Sequence, residues 1–207
     1  MKNIYLDFDR TIYNTDLLYT DMNKVIQKHG INHNQFEMVK KKIFKEPVLF
    51  DYFKVIKYMC THNQVQSKVL DELEMIVYNG NKYVYDDVDN FIRESKSKGY
   101  RVNILTYGDR KFQLKKLSNL DICDMIDNII IASDYKFNLD LNYNNSIFID
   151  DNPRDLGGLC NRSAGRVIRI SRKETKYATV ALNNKNIENY DGLNKISISD
   201  FSVKGVY

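Results

Sequence analysis

Five short apolar runs, each long enough for one strand and rich in β-branched residues, most constrain the fold of this chain. They occupy residues 4–6, 102–105, 129–131, 147–149 and 167–170. Helical patterns separate several of them, notably at 88–98 and 109–120. Strands that alternate with helices are joined by crossover connections and form a parallel sheet that is covered on both faces. The sequence therefore predicts an α/β core with a doubly wound, Rossmann-like and mostly parallel sheet.

A long segment near the N-terminus follows a different pattern. Between residues 16 and 80, four groups of apolar residues recur at helical spacing, and strand signals are absent. Gly30 is a natural end for the first of these helices. We therefore expect a small α-helical domain at 16–80, inserted into an α/β core domain that comprises 1–15 and 81–207. A last strand of the core is expected near 196–198.

The overall composition narrows the functional classes. A hydrophobic fraction of 43% and a formal net charge of +4 are typical of a folded soluble protein and do not favour a nucleic-acid partner. No apolar stretch approaches the length of a membrane span, and the N-terminus lacks the apolar run of a signal peptide. The three cysteines form no CxxC pair, which is typical of free thiols in a reducing compartment. We expect a cytoplasmic protein without a membrane or nucleic-acid partner, and the sequence leaves its oligomeric state open.

Two aspartates follow the first apolar run, in the stretch IYLDFDRTIYNT. Because side chains at i and i+2 lie on one side of an extended chain, the carboxylates of Asp7 and Asp9 can face one cavity. Such a pair can divide the roles of nucleophile and acid–base catalyst, or it can help to bind a hard cation. A DxDxT pattern also arises by chance, so the pair alone only suggests a site.

The second apolar run ends in the polar segment NILTYGDR. The hydroxyl of Thr106 and the backbone N–H groups of Tyr107 and Gly108 precede a predicted helix, and this arrangement suits a phosphate group. The same residue types also form helix N-caps. We expect Asp109 to be the cap, which leaves Thr106 for a ligand.

The fourth apolar run is followed by three carboxylates within six residues, in IFIDDNPRDL. Asp150, Asp151 and Asp155 would repel one another unless a cation or basic groups lie among them. Aspartates are also common in solvated turns, but a position directly after an apolar strand favours a site. Since ligands of open α/β sheets bind beyond the carboxyl ends of the strands, the three polar segments are expected to meet.

Together these segments resemble the haloacid dehalogenase (HAD) superfamily, in its phosphatase branch. The first to fourth motifs are Asp7-Phe8-Asp9-Arg10-Thr11, then Thr106, then Lys136, then Asp150-Asp151 with Asp155. The resemblance covers about 1–15 and 84–171, and the helical insert falls where the C1 cap of the family falls. Arg10 stands where the family most often has glycine, so its side chain is either a solvated arm or a contact for substrate charge.

The resemblance implies a role for each catalytic residue. Asp7 would attack the phosphorus and form an aspartyl-phosphate. Asp9 would protonate the leaving oxygen and later deprotonate the water that hydrolyses this intermediate. Thr106 and the backbone N–H groups of Tyr107 and Gly108 would bind the phosphoryl oxygens.

The resemblance also implies how the negative charges are balanced. Lys136 would offset the charge of the phosphoryl oxygens and of the nucleophile. Mg²⁺ would bind the Asp7 carboxylate, the Asp9 carbonyl oxygen and the Asp151 carboxylate. The remaining carboxylates would be a close alternative ligand and a support for the ligands, namely Asp150 and Asp155.

The function implied by these motifs is that of a Mg²⁺-dependent phosphatase that hydrolyses a phosphate monoester of a small metabolite. The aspartate at position 9 favours ester hydrolysis, because the dehalogenase branch of the family lacks this second aspartate. The alternatives are a non-catalytic HAD-fold binding or regulatory protein and a phosphatase that acts on a macromolecular phosphate. The small insert and the mild net charge favour a small phosphorylated substrate.

Overall fold

The computed structural model describes residues 2–44, 49–62, 65–163, 165–173 and 175–198. The described residues form two compact units. The first, which we call the sheet unit, lies within Met1–Asn14, Val84–Tyr107 and Asp124–Tyr207. The second, which we call the helical unit, lies within Thr15–Tyr83 and Gly108–Cys123.

Six parallel strands form the sheet within the described residues. They are β1 (Asn3–Leu6), β2 (Arg101–Tyr107), β3 (Asn128–Ala132), β4 (Ser146–Asp150), β5 (Arg166–Ile170) and β6 (Ile187–Tyr190). Their order across the sheet is β3-β2-β1-β4-β5-β6. The chain progresses in opposite directions on the two sides of β1, which is the topology of a doubly wound sheet. The predicted fold class is therefore confirmed.

Seven α-helices lie within the described residues. They are α1 (Thr15–Lys28), α2 (His33–Ile43), α3 (Tyr52–Thr61), α4 (Lys68–Tyr78), α5 (Val88–Ser97), α6 (Arg110–Leu117) and α7 (Pro153–Arg162). Gly30 follows α1 with φ of +80°, and Gly99 follows α5 with φ of +79°. Glycine adopts this left-handed conformation without steric cost, so both helices end there. No helix in the described part of the chain is long and apolar enough to cross a membrane.

The central strand β1 is buried on both of its faces. Ile4 and Leu6 are inaccessible to solvent, and the ring of Tyr5 stacks on that of Phe148 in β4 with a centroid distance of 5.1 Å. Each apolar side chain removed from water in this way stabilises the fold by about 1.5–3 kcal/mol. This packing holds the carboxyl end of β1 in a fixed position.

The helical unit has an aromatic core. The ring centroids of Phe36 in α2 and Tyr52 in α3 lie 4.6 Å apart. Phe112 of α6 packs edge-on against Phe53 and Phe50, at 6.1 Å and 6.5 Å. These contacts attach α6 to the other helices of this unit.

The bounds of the helical unit differ from the predicted insert at 16–80. The unit runs from Thr15 to Tyr83 and also includes Gly108–Cys123, which the sequence analysis assigned to the core domain. The physical reason is the packing of α6, whose Lys115 also forms an ion pair of 2.5 Å with Glu74 in α4.

The last strand of the sheet lies earlier in the chain than expected. β6 pairs with β5, and Arg166 of β5 forms a bidentate ion pair with Glu188 of β6 at 2.7 Å and 2.6 Å. Ile196 and Ile198 are buried but lie outside any strand. The expected strand at 196–198 is therefore wrong, because alternating isoleucines indicated burial and not strand pairing.

Candidate functional site

Two of the predicted acidic segments meet at the carboxyl ends of β1 and β4. Asp7 directly follows β1, and its backbone N–H donates to the carbonyl oxygen of Ile149 at 2.8 Å. This bond extends the β1–β4 ladder by one residue. Asp150 is the last residue of β4. Because the strands are parallel neighbours, the two carboxylates reach the same edge of the sheet.

Lys136 lies between these two carboxylates. Its ammonium group donates to Oδ1 of Asp7 and to Oδ2 of Asp150, the latter at 2.7 Å. The three residues are only 2%, 5% and 2% exposed, in the order Lys136, Asp7 and Asp150. Lys136 begins a 3₁₀ turn, Lys136–Asn138, after β3. The structure thus places the lysine of the third motif in direct contact with residues of the first and fourth motifs.

Asn152, which the sequence analysis missed, holds the acidic cluster in place. Its backbone N–H donates to Oδ1 of Asp150 at 2.9 Å, and its side-chain Nδ2 donates to Oδ2 of Asp155 at 3.0 Å. The other oxygen of Asp155 accepts from the backbone N–H of Lys136 at 3.2 Å. Asn152 is also the N-cap of α7, since its Oδ1 accepts from the N–H of Arg154. An asparagine directly before a proline is a helix-start signal that could have identified this residue.

Three carboxylates form a group that suits a divalent cation. One oxygen each of Asp7, Asp150 and Asp151 lies within 4.8 Å of the others. Oδ2 of Asp7 and Oδ2 of Asp151 are buried and have no hydrogen-bond partner among the described residues. Buried polar atoms of this kind are unfavourable unless a bound group satisfies them, and Mg²⁺ prefers carboxylate oxygens. The residues present therefore fit a hard cation.

Burial dominates the electrostatics of this cluster. It raises the pKa of Asp7 to about 7, although the charge of Lys136 opposes the shift. Burial and the neighbouring carboxylates Asp7 and Asp150 raise the pKa of Asp151 to about 9. Burial also raises the pKa of Asp150 and of Asp155. For Lys136, burial lowers the pKa, but the surrounding carboxylates outweigh it and the net pKa is raised, so the ammonium stays charged.

Asp9 lies in a tight turn that follows Asp7. Asp9 is partly exposed, and its backbone forms a β-bridge with Tyr13. The next residue, Arg10, has φ of +66°, a conformation that residues other than glycine rarely adopt. This backbone conformation is the physical reason for a glycine preference at the position. The charge of Arg10 opposes the rise in the pKa of Asp151, so it acts on the acidic cluster.

The residues of the second motif divide between the two units. Thr106 is fully buried in β2, and Tyr107, which ends this strand, is 44% exposed. Gly108 belongs to the helical unit. It has φ of +155°, and a Cβ there would lie 2.8 Å from Nε2 of Gln113. A side chain at this position would therefore displace Gln113.

Asp109 is the N-cap of α6, as the sequence predicts. One of its carboxylate oxygens accepts from the N–H groups of Lys111 and Phe112, at 3.0 Å and 3.1 Å. Five residues of the predicted site form one buried cluster, namely Asp7, Lys136, Asp150, Asp151 and Asp155. Asp9, Thr106 and Tyr107 lie in the same sheet unit, and Gly108 lies in the helical unit.

Comparison with known proteins agrees with this architecture. The model of the haloacid dehalogenase-like hydrolase family matches residues 4–165. No curated protein sequence matches the chain significantly.

Several solved structures share the fold over most of their length. A protein described as a haloacid dehalogenase-like hydrolase from Burkholderia xenovorans LB400 has 16% identity and a TM-score of 0.72, with 94% of each chain covered. The magnesium-bound HAD-hydrolase YfnB from Bacillus subtilis has 11% identity and a TM-score of 0.59, with 93% of this chain and 95% of that chain covered. The L-2-haloacid dehalogenase from Xanthobacter autotrophicus with covalently bound chloropropionic acid has 14% identity and a TM-score of 0.55, with 86% and 80% covered.

These identities are low, so the solved structures establish the fold, and the family model establishes the membership. The match to that model includes the ends of β1, β2 and β4, where the candidate site lies. The chain belongs to the haloacid dehalogenase-like hydrolases.

Proposed function

We propose that this hydrolase cleaves the phosphate monoester of a small metabolite, with Mg²⁺ as its cofactor. The observation that carries the proposal is the acidic set at the end of β1, in which Asp9 follows Asp7 by two residues. The unpartnered oxygens of Asp7 and Asp151 add a place for the cation. Cys60 and Cys160 are free thiols, which supports a reducing compartment such as the cytoplasm.

Asp7 is the proposed nucleophile. Its carboxylate forms a bond to phosphorus as the bond to the leaving oxygen breaks, and Asp9 gives that oxygen its proton. Water then attacks the phosphorus of the aspartyl-phosphate, the P–O bond to Asp7 breaks, and Asp9 takes the proton of this water. The products are inorganic phosphate and the free alcohol, and both carboxyl groups return to their starting state.

Lys136 favours the ionised form of Asp7, against the effect of burial, and offsets charge next to the phosphoryl group. Its ammonium already contacts Asp7, and desolvation strengthens this contact. Asp7 and Asp151, with the Asp9 carbonyl oxygen and Asp150 beside them, would hold Mg²⁺, which would offset the remaining negative charge. Thr106 and the backbone N–H of Tyr107 are the proposed contacts for the phosphoryl oxygens.

Dehalogenation is the second candidate, because the Xanthobacter autotrophicus haloacid dehalogenase shares the fold. The two reactions differ in what the leaving group needs. A halide leaves as a stable anion, whereas the alkoxide of a phosphate ester must be protonated. A second carboxyl group at position 9 therefore has a use in ester hydrolysis that it lacks in halide release.

The deciding experiment measures hydrolysis of p-nitrophenyl phosphate and halide release from L-2-chloropropionate, each with Mg²⁺ and with EDTA. Wild type is compared with Asp7→Asn, with Asp9→Asn and with the control Asp89→Asn. Asp89 is an exposed carboxylate paired with Arg93, far in sequence from the acidic motifs. We expect Mg²⁺-dependent ester hydrolysis that both site variants lose and the control keeps.

Other results assign a different function. Halide release that depends on Asp7 but not on Mg²⁺ would identify a dehalogenase. Ester hydrolysis that persists in Asp7→Asn would exclude the proposed nucleophile. If no phosphate ester in a panel of small metabolites and phosphopeptides is hydrolysed although Mg²⁺ binds, the protein is a binding or regulatory member of the family.

A further inference from the structure

The turn that carries Asp9 is closed by its own backbone. The N–H groups of Ile12 and Tyr13 both donate to the carbonyl oxygen of Phe8 at 3.0 Å, and the N–H of Arg10 donates to that of Tyr13 at 2.7 Å. These bonds make residues 8–13 a compact, internally hydrogen-bonded turn. The position of the Asp9 carboxyl group therefore depends on what anchors this turn to the rest of the sheet unit.

Arg172, which lies just beyond β5, anchors this turn by hydrogen bonds. Its Nε and Nη2 donate to the carbonyl oxygen of Thr11 at 3.2 Å and 2.9 Å. The residue is only 8% exposed. A buried guanidinium that donates twice to one carbonyl oxygen fixes both the distance and the orientation of that peptide group.

The opposite edge of the guanidinium is held by Asp87. The two side chains form a bidentate pair at 2.9 Å and 2.7 Å, and Oδ2 of Asp87 also accepts from the N–H of Leu193 at 2.8 Å. The centroid of the Tyr85 ring lies 3.9 Å from Cζ of Arg172. The backbone N–H of Tyr85 donates to the carbonyl oxygen of Ile12 at 3.0 Å. The turn at 8–13 and the segment 85–87 thus both contact the buried guanidinium of Arg172.

Gly192 leaves room for this arrangement. Its φ of −166° is ordinary extended backbone, so the residue is not required for its conformation. A Cβ at this position would instead lie 2.9 Å from Oδ2 of Asp87 and 3.6 Å from Nη1 of Arg172. The chain therefore carries a glycine where any side chain would press on the ion pair.

We infer that Arg172 and Asp87 are positioning residues that set the location of the Asp9 carboxyl group through the backbone of Thr11. The inference rests on the proposed function, in which Asp9 protonates the leaving oxygen. A general acid acts only within hydrogen-bond reach of that oxygen, and a small misplacement lowers the rate strongly. The pair is thus coupled to one chemical step and not only to the stability of the fold.

The prediction concerns how the rate depends on the leaving group. Phenolate needs protonation more than p-nitrophenolate, because it is the stronger base. Loss of the Arg172 anchor should therefore lower kcat/KM more for phenyl phosphate than for p-nitrophenyl phosphate. We expect the ratio of kcat/KM for phenyl phosphate to kcat/KM for p-nitrophenyl phosphate to fall by about tenfold. kcat/KM is the proper measure because it contains only the steps through cleavage of the P–O bond.

The control is a second bidentate arginine pair in the same part of the sheet. Arg166 binds Glu188 at 2.7 Å and 2.6 Å. None of its described hydrogen bonds is to a residue of the turn at 8–13. Arg166→Gln breaks a pair of similar geometry, so it reports the general cost of losing a buried or half-buried ion pair. Its ratio of kcat/KM values should equal that of wild type.

The test compares wild type, Arg172→Gln, Arg172→Lys, Asp87→Asn and Arg166→Gln, with Mg²⁺ present throughout. Both esters are assayed, and amide hydrogen exchange of Ile12 and Tyr13 is measured in the same samples. We expect about tenfold faster exchange of these amides in Arg172→Gln, no change in Arg166→Gln, and partial recovery in Arg172→Lys. Asp87→Asn keeps the shape of the site and serves if Arg172→Gln does not fold.

Each outcome has one meaning. Faster exchange together with a steeper leaving-group dependence supports the positioning role. Unchanged exchange in the Arg172 and Asp87 variants overturns it, and so does an equal loss of kcat/KM for both esters, because that result describes a purely structural pair. If wild type hydrolyses neither these two esters nor any ester of the metabolite panel, the proposed function fails and the positioning of an acid falls with it, while the exchange data still report whether Arg172 anchors the turn.

Discussion

The ammonium nitrogen of Lys136 lies 2.7 Å from Oδ2 of Asp150, and each of the two side chains is only 3% exposed. The same ammonium group contacts Asp7 on its other side. One buried cation therefore compensates two buried carboxylates, and removal of either kind of charge leaves the other without a partner. The strength of such interactions in a water-poor site makes this lysine a sensitive point of the fold as well as of the chemistry.

Replacement of Lys136 by methionine should lower both stability and activity. The variant keeps the length and apolar stem of the side chain but leaves Asp7 and Asp150 buried without their cation. We expect a loss of about 3 kcal/mol in the free energy of unfolding, since breaking a buried pair typically costs that much. If the proposed function holds, kcat for hydrolysis of p-nitrophenyl phosphate should fall by about 10²-fold, because an electrostatic stabiliser next to the reacting group is gone.

Urea unfolding and steady-state kinetics measure these two effects. The matched control is Lys96→Met, which removes an ion pair of 3.0 Å with Asp127, where both side chains are partly exposed. An exposed pair contributes at most about 1 kcal/mol, so this control should change little. Equal stability losses in the two variants would contradict the role given to Lys136.

The stability of the metal-free protein should decrease as the pH rises. Asp7 and Asp151 have folded-state pKa values of about 7 and about 9, well above the ordinary value of 3.8. Between the ordinary and the raised values, the folded protein holds protons that the unfolded protein has released, so alkali favours unfolding. Thermal unfolding in EDTA should therefore give a lower Tm at about pH 8.5 than at about pH 5.5.

Magnesium should reverse this trend, because the cation binds the ionised carboxylates and competes with their protons. The increase in Tm on addition of Mg²⁺ is expected to be larger at the higher pH. Asp151→Asn should raise the Tm of the metal-free protein at high pH and abolish the response to Mg²⁺, whereas Asp89→Asn should behave as wild type. A Mg²⁺ response that survives in Asp151→Asn would place the cation elsewhere.

Adjacent glycines in α7 should respond in opposite ways to alanine. A Cβ at Gly158 would overlap with the ring of Phe137, the residue after Lys136, whereas a Cβ at Gly157 would meet nothing within 4 Å. Gly158→Ala should therefore cost about 1–3 kcal/mol through overpacking, and Gly157→Ala should add about 0.5–1 kcal/mol through helix propensity.

Activity distinguishes the two glycine variants further. Because Phe137 follows Lys136 in the same 3₁₀ turn, displacement of its ring should move the ammonium and lower kcat in Gly158→Ala. Gly157→Ala should keep the wild-type kcat. Denaturant unfolding and kinetics of the pair decide the point, and full activity in Gly158→Ala would show that the turn adapts without moving the lysine.

The left-handed backbone at Arg10 makes a simple prediction about side-chain shape. With φ of +66°, a β-branched residue is strongly disfavoured, and Arg10→Val should cost about 1–2 kcal/mol. Glycine adopts the conformation freely but adds entropy to the unfolded chain, so Arg10→Gly should change stability by less than about 1 kcal/mol. Urea unfolding of the two variants at one pH measures both free energies of unfolding. Equal stability of Arg10→Val and Arg10→Gly would contradict the prediction.

Local patterns in the sequence were sufficient to predict five of the six described strands and most of the acidic cluster, but not β6. Apolar β-branched runs of three or four residues mark buried strands, and Asp7 and Asp150 follow such runs directly. Since parallel strands bring their carboxyl ends together, strand order alone places these carboxylates near each other. The sequence identifies Lys136 only by its order among the motifs. Its contact with both Asp7 and Asp150 depends on the tertiary structure.

Long-range packing could not be predicted in this way. α6 has an ordinary helical pattern, and its place in the helical unit follows from tertiary contacts, among them those of Phe112 with Phe50 and Phe53 and of Lys115 with Glu74. Arg172 and Asp87 are in contact but lie 85 residues apart in the sequence, and neither lies in a recognisable motif. Pairing of buried charges across such sequence distances depends on tertiary structure, which no single-sequence pattern reports.

The central place of β1 has a consequence for how the protein is made. Tyr5 pairs with Asn103 on one side and Phe148 on the other, so β1 is synthesised before both of its neighbours and waits for them. At a synthesis rate of about 5–20 residues per second, the wait for β4 is roughly 7–30 seconds. During that time an apolar strand with two open edges is exposed to other chains. Newly made protein should therefore depend on chaperones more than the stability of the finished fold suggests, and a nascent chain that is released before β4 should aggregate.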